Sequence, residues 1–212
     1  MTLAANRDEF RARPSAEPAA LGEGLFGGRD LRSGGTWLAV GAGGLAAVTN
    51  IRSTAVRDDA RSRGELPLAA LCGELPGSFE AWNPFNLLIV DARGARVVTH
   101  VADGEPARVT PLGPGGHVIV NEPCGARCPR AAHATAVMGD AEPDIRLLAD
   151  HGPPGDAGLC HHGRDYGTVS STVIRLEAGG RVATYHHCPG QPCRTPIIDL
   201  GDVARRVTSG RA

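Results

Sequence analysis

The chain has 212 residues, enough for one domain with a sizeable core and no need of disulfides or metals to hold it. Its formal net charge of -1 excludes the strong basic surplus of a nucleic-acid-binding surface. All 22 basic residues are arginine, so every lysine-dependent mechanism, Schiff bases included, is excluded as well.

Taken in chain order, a small apolar run, Leu3-Ala4-Ala5, leads into Asn6-Arg7-Asp8-Glu9. This places an amide, a guanidinium and two carboxylates at the end of a predicted strand, where side chains can converge on a ligand. Residues 12–28 read as loop. Segments 36–41 and 45–50 form a predicted hairpin across Ala42-Gly43-Gly44; 85–91 and 96–101 turn at Arg93-Gly94; 170–177 and 181–187 turn at Gly179-Gly180. A further strand is expected over 117–121. Helices are expected over 65–75, 129–138, 144–151 and 200–207. Residues 104–115 and 152–158 read as loops too short for interdomain linkers, and no repeat recurs at solenoid periods, so residues 1–212 read as one domain. Hairpin sheets with helices outside them predict an α+β fold of antiparallel sheets.

The start of the chain turns charged too soon for a secretory signal, and no run of about 18 apolar residues suits a membrane span. A cytoplasmic address is therefore expected, with Cys72, Cys124, Cys128, Cys160, Cys188 and Cys193 as free thiols or ligands.

Several motifs have a plain structural reading. Gly41-Ala42-Gly43-Gly44-Leu45-Ala46 matches a dinucleotide fingerprint by letter, but that fingerprint needs a helix after it, and both flanks here read as strand. A hairpin turn is expected instead. Trp37 reads as a core residue with its indole N–H satisfied, and Gly34-Gly35 as a tight turn. Ser170 and Thr172 share one strand face and Ser171 takes the other, so at most one face lines a site. Donor residues gather late, in Cys160-His161-His162, in His186-His187-Cys188-Pro189 and at Cys193, with Cys124 and Cys128-Pro129 upstream. These donors suit zinc or iron, although their spacing matches no zinc ribbon or finger.

The chain resembles the NRDE family, also called the transport and Golgi organisation 2 family, on several short motifs in one order. They are Asn6-Arg7-Asp8-Glu9 with Arg13-Pro14, Gly34-Gly35-Thr36-Trp37-Leu38, Ala46 to Arg52, Ser62-Arg63-Gly64-Glu65-Leu66, Phe85-Asn86-Leu87-Leu88, Tyr166-Gly167-Thr168 with Ser170-Ser171-Thr172, and Pro192-Cys193-Arg194-Thr195-Pro196. The resemblance implies a relative of N-terminal nucleophile hydrolases, a four-layer αββα sandwich. Members of the family usually begin Met-Cys and run through a first strand ahead of the segment matching Leu3-Ala4-Ala5-Asn6. That strand is expected to be missing here, which leaves a sheet edge open to pairing in a homodimer. Val169 also replaces an arginine common in the family.

By the same resemblance, Arg7 with Asp8 or Glu9 binds and orients a ligand, and Asn50 and Asn121 supply amide donors. Trp37, Asn6, Arg52, Asn86, Ser170, Thr172 and Arg194 complete the expected ligand-binding set. Two functions follow. The first is haem binding and trafficking without catalysis, with Arg7, Arg52 or Arg194 on the propionates and Cys188 or His187 near the iron. The second is an amide hydrolase or acyltransferase acting on a small molecule, with Thr2 as nucleophile after methionine removal. A binding-only accessory protein is a third.

Overall fold

The computed structural model describes residues 1–53, 56–102, 104–155 and 157–210. Its strands are β1 (Thr2–Phe10), β2 (Ser15–Gly22), β3 (Leu25–Asp30), β4 (Leu38–Gly41), β5 (Gly44–Asn50), β6 (Phe85–Asp91), β7 (Gly94–His100), β8 (Arg108–Leu112), β9 (Tyr166–Leu176), β10 (Val182–Cys188) and β11 (Ile198–Asp199). The helices are α1 (Leu66–Cys72), α2 (Pro129–Met138), α3 (Ile145–Leu148) and α4 (Gly201–Thr208), with a 3-10 turn at Arg63–Glu65. The fold is α+β. A seven-stranded sheet runs in the order β2-β3-β4-β5-β6-β7-β8 and a four-stranded sheet in the order β1-β9-β10-β11, with every strand pair antiparallel.

Side-chain alternation builds two cores. Strand β6 is an almost continuous apolar run because both its faces are covered. Phe85, Leu87 and Ile89 join Leu66 of α1 and Trp82 on the outer side, while Leu88 turns inward to Phe26, Val40, Ile174 and Tyr185 between the sheets. Phe26 and Tyr185 meet edge to face across that layer, with ring centroids 5.1 Å apart. Helix α4 contributes Ala204 to this inner core, and α3 packs on β1 and β9. Among the described residues no helix is long and apolar enough to cross a membrane.

The three expected hairpins form, and Ala42-Gly43 is the turn joining β4 to β5. Other expectations need correction. Residues 12–28 contain β2 and most of β3, and residues 104–115 contain β8. Pro18 and Pro111 lie in the outermost strands of the seven-stranded sheet, where a missing N–H costs little. Residues 117–121 form no strand, because their carbonyls bond to other elements: Val120 O accepts from the Asn86 amide and Asn121 O from the Arg52 N–H. Helix α1 stops at Cys72 on a left-handed Gly73, and α3 is a single turn capped by Asp144, whose carboxylate accepts from the Arg146 and Leu147 N–H groups. Of the residues read as loop over 152–158, Asp156 lies outside the described residues. Strand β1 is an edge strand, but its free edge runs along a cavity rather than over open surface.

One close approach explains two of the sequence motifs together. The Gly35 backbone lies against Gly64, so a Cβ at Gly35 would sit 2.3 Å from the Gly64 carbonyl carbon. The Thr36 N–H donates to Gly64 O at 2.9 Å across the same contact. Gly35→Ala is therefore expected to destabilise the fold by about 1–3 kcal/mol through overpacking. The check is urea unfolding, which should show a lower midpoint at unchanged slope. Gly43→Ala, which meets open space, is the control.

Candidate functional site

The opening tetrad lies within β1, and strand alternation divides it. Arg7 faces the seven-stranded sheet, with its guanidinium 4.4 Å from the Trp37 ring centroid and donating to Ser15 Oγ at 3.2 Å. Glu9 accepts from its neighbour's Phe10 N–H and approaches Arg13 at 3.7 Å. Asn6 and Asp8 take the opposite face. Asn6 Nδ2 donates to Leu148 O and Leu159 O at 2.9 and 2.8 Å, and its Oδ1 accepts from Ser171 Oγ at 2.5 Å. Asp8 Oδ1 accepts from Thr168 Oγ1 at 2.7 Å, and its Oδ2 lies 3.6 Å from Arg130 and 3.7 Å from His161. A register shift after Arg7 puts Ser171 and Thr168 on one face of β9 despite their odd spacing.

A cavity of about 770 Å³ runs along the free edge of β1 and opens between the sheets. Leu38, Ala47, Leu88 and Ile119 supply apolar wall on one side, and Met138 and Leu147 supply it on the other. Thr2, Asn6, Arg7, Asp8, Glu9, Trp37, Asn50, Arg52, Asn86 and Asn121 all line it, so ten of the expected site residues share one space. Ser170, Thr172, His187, Cys188 and Arg194 do not. Trp37 is half-buried at the cavity wall rather than enclosed in the core.

The amides are less available than the sequence suggests. Asn86 is fully buried, donates to Val120 O and Glu122 O at 3.1 and 2.7 Å, and accepts from Thr99 Oγ1 and the Cys124 N–H. Asn121, expected at a strand end, sits in irregular chain and donates to Asn50 O at 2.8 Å. Asn6 and Asn86 are thus structural hydrogen-bonders with both N–H donors committed, and Asn121 commits one of its two. Thr2 Oγ1 donates to Glu142 at 3.3 Å.

The cations are the available groups. Among the described residues, Arg7, Arg52 and Arg63 have no carboxylate within salt-bridge distance. Burial lowers the Arg7 and Arg63 guanidiniums from their ordinary value, more than nearby carboxylates offset. Arg13, by contrast, is held by Asp30 at 2.5 Å. A second hollow of about 740 Å³ lies on the outer face of the seven-stranded sheet, but its Arg93 and Arg96 are both bonded to Asp91.

The late Cys-Pro pairs serve chain geometry. Cys128 caps α2, its Sγ accepting from the Ala131 N–H at 3.4 Å, and Pro129 takes the first helical turn. Cys188 is fully buried at the end of β10, its thiol donating to Gly190 O and Thr195 O. His187 is 2% exposed, with Nδ1 at 3.2 Å from Thr172 Oγ1 and Nε2 at 2.8 Å from Glu17. The expected iron ligands therefore face away from the cavity. A different group converges elsewhere: His151, Cys160, His162 and Cys193 bring their ligand atoms within 4.8 Å of one another. His151 carried no sequence signal, since its partners come from later segments.

A family model described as transport and Golgi organisation 2 matches residues 1–145, which include the whole tetrad and most of the cavity wall. The chain belongs to the transport and Golgi organisation 2 family. A transport and Golgi organization protein 2 homolog from Bos taurus is 28% identical over 231 aligned residues, covering 86% of this chain and 84% of that protein. Homologs from Homo sapiens and Mus musculus are each 34% identical over 139 residues, covering 57% of this chain and 50% of those proteins. The family's Asn-Arg-Asp-Glu motif thus has two physical jobs in this fold: Asn6 and Asp8 tie β1 to its neighbours, and Arg7 faces the cavity.

Asp30 holds the turn into the Gly34-Gly35 motif, accepting from Arg13 and from the Arg32 and Ser33 N–H groups. Burial raises its carboxyl, but the Arg13 hydrogen bond and the backbone donors together outweigh that and leave it lowered. A lowered carboxyl stabilises the fold above its unfolded value, about 4, and loses that contribution as pH falls through the folded value. Asp30→Asn is expected to cost roughly 1–2 kcal/mol at pH 7 and less at pH 3, given partial exposure. Urea midpoints at the two pH values provide the check. Asn6→Asp is expected to cost about 2 kcal/mol or more, because the Leu148 and Leu159 carbonyls would then face a carboxylate; thermal unfolding measures it.

Proposed function

We propose that this protein binds haem, or a flat amphipathic dicarboxylate like it, in the inter-sheet cavity and carries it without covalent chemistry. One observation carries the reading: three guanidiniums without a carboxylate partner among the described residues, Arg7, Arg52 and Arg63, border a cavity with apolar walls. Two of them, Arg7 and Arg63, are half-buried, so their charge is poorly solvated. Incoming carboxylates supply the missing counter-charge and charge-assisted hydrogen bonds, and the apolar walls cover a hydrocarbon ring. Trp37, already under Arg7, offers a flat face for stacking.

Cys188 and His187 have no part in this arrangement, which suits a carrier that must also release its cargo. The six cysteines are free thiols, in keeping with the cytoplasmic address the reading implies.

Titrating ferric haem into the folded protein is expected to shift the Soret band and saturate at one equivalent. Arg7→Ala with Arg63→Ala should weaken binding about tenfold or more, the loss expected for charge-assisted bonds worth roughly 1.5–3 kcal/mol. Cys188→Ala should leave the band where it is. An unshifted spectrum in a protein with a cooperative unfolding transition would overturn the proposal.

Amide hydrolysis or acyl transfer is the second reading, and the Thr2 hydroxyl in the cavity wall beside Glu142 favours it. The two antiparallel sheets, with α1 and α3 packed against them, agree with kinship to N-terminal nucleophile hydrolases. Carriage is preferred because Asn121, one of the two expected oxyanion donors, is tied to a backbone carbonyl, which leaves Asn50 alone in that role. An acyl adduct on Thr2 after exposure to activated amides or esters, found by mass spectrometry, would reverse that preference.

A further inference from the structure

Four soft or borderline donors meet on the side of the molecule where the chain passes through residues 151–162 and then 189–193. Cys160 Sγ lies 3.7 Å from Cys193 Sγ and 3.5 Å from His162 Nε2. His162 Nε2 is also 3.2 Å from Cys193 Sγ and 3.1 Å from His151 Nε2. One imidazole nitrogen holds either one proton or one lone pair, so it cannot satisfy three neighbours at once. A single cation among them can.

Four of the six separations match the edges of a tetrahedron. With zinc–sulfur bonds of about 2.3 Å and zinc–nitrogen bonds of about 2.0 Å, the edges come to about 3.8 Å between sulfurs, about 3.5 Å from sulfur to nitrogen and about 3.3 Å between nitrogens. The four observed distances fall within a few tenths of an ångström of those edges, and the remaining two pairs stay within 4.8 Å. A disulfide accounts for them less well, since a bond of about 2.05 Å would need the two sulfurs to close most of their gap and would leave both imidazoles unexplained.

We infer that His151, Cys160, His162 and Cys193 form a closed, four-ligand site for a zinc-type divalent cation. Four protein ligands leave no open position, so the role is structural rather than catalytic. Two thiolates balance the dication, which makes the site tolerable beside Arg194 and Arg11. All four ligands lie beyond the residues matched by the family model.

The cation has a definite mechanical task. Leu148 O and Leu159 O, the two acceptors of the Asn6 amide, stand three residues before His151 and one before Cys160. The ligands therefore clamp both passes of the chain that hold Asn6, and tie them to the turn after β10. The short span from 151 to 160 is already tight, because a Cβ on Gly158 would meet His151 O at 2.2 Å. His151 at one end and Cys160 with His162 at the other complete the closure against Cys193.

Cobalt(II) titration of the full chain, stripped of metal and reduced, tests the site directly. A thiolate-to-cobalt charge-transfer band with tetrahedral d–d bands should saturate at one equivalent and disappear when zinc is added. Cys193→Ser should weaken binding by roughly 100-fold or more, at least the loss seen for a disrupted outer-shell partner. Cys72→Ser, an exposed cysteine far from the cluster in sequence, should change nothing. Zinc should also raise the thermal midpoint of the parent chain but not of Cys193→Ser. No thiolate band in the folded, reduced chain would overturn the inference, and so would a band that survives in both Cys160→Ser and Cys193→Ser.

Discussion

The pairing of β1 with β9 is the constraint on which the rest of the structure depends. It joins the first ten residues to residues 166–175, more than 150 positions later, and so closes the longest loop in the fold. Such a contact is entropically late, because the intervening chain must be largely ordered before the two strands meet. Its reward is local and polar as well as hydrophobic. Ser171 and Thr168 donate to Asn6 and Asp8, and Asn6 in turn holds the two passes of chain that cover that face. Without this pairing the smaller sheet would lose its edge and the cavity one wall.

Strand alternation then decides what each polar residue can do. Four consecutive charged or amide side chains cannot all face one ligand, so half of the tetrad is spent on architecture and half is left for the cavity. Arg7 points toward the seven-stranded sheet only because Asn6 and Asp8, which also border the cavity, turn their polar atoms to the opposite face. Beyond the tetrad, Arg52 and Arg63 add guanidiniums with no carboxylate partner among the described residues, while the Asn86 and Asn121 amides donate to backbone carbonyls. Together they make the cavity better suited to holding a carboxylate than to stabilising an oxyanion.

The hairpins were legible because their information is local: an apolar run, a glycine turn and a second run stand next to one another in sequence. Strands β2 and β8 were not, since Pro18, Pro111 and a mostly exposed pattern read as loop and only a sheet edge makes them strands. Residues 117–121 misled in the other direction, because Val118, Ile119 and Val120 have strand character but their carbonyls are taken by Asn86 and neighbouring chain. The cavity residues came through because they cluster in short motifs. Their division between two faces and the burial of Asn86 did not, since both depend on partners dozens of residues away. His151 was invisible for the same reason: its proposed co-ligands lie nine, eleven and forty-two positions on, a spacing that no short pattern encodes.

The shifted register at Val169 has a consequence for how this strand can evolve. Thr168 and Ser171 are three apart, an interval that normally puts side chains on opposite faces, and only the bulge that leaves Val169 out of the pairing brings both hydroxyls to the tetrad. Val169 is the residue the bulge absorbs, so the phase of the two hydroxyls needs neither its side chain nor its presence. Its deletion would leave Thr168 and Ser171 two apart, the ordinary same-face interval, so β9 could pair with β1 without a bulge and keep both hydroxyls on Asn6 and Asp8. Related chains can therefore carry a one-residue gap at this position without losing either hydrogen bond.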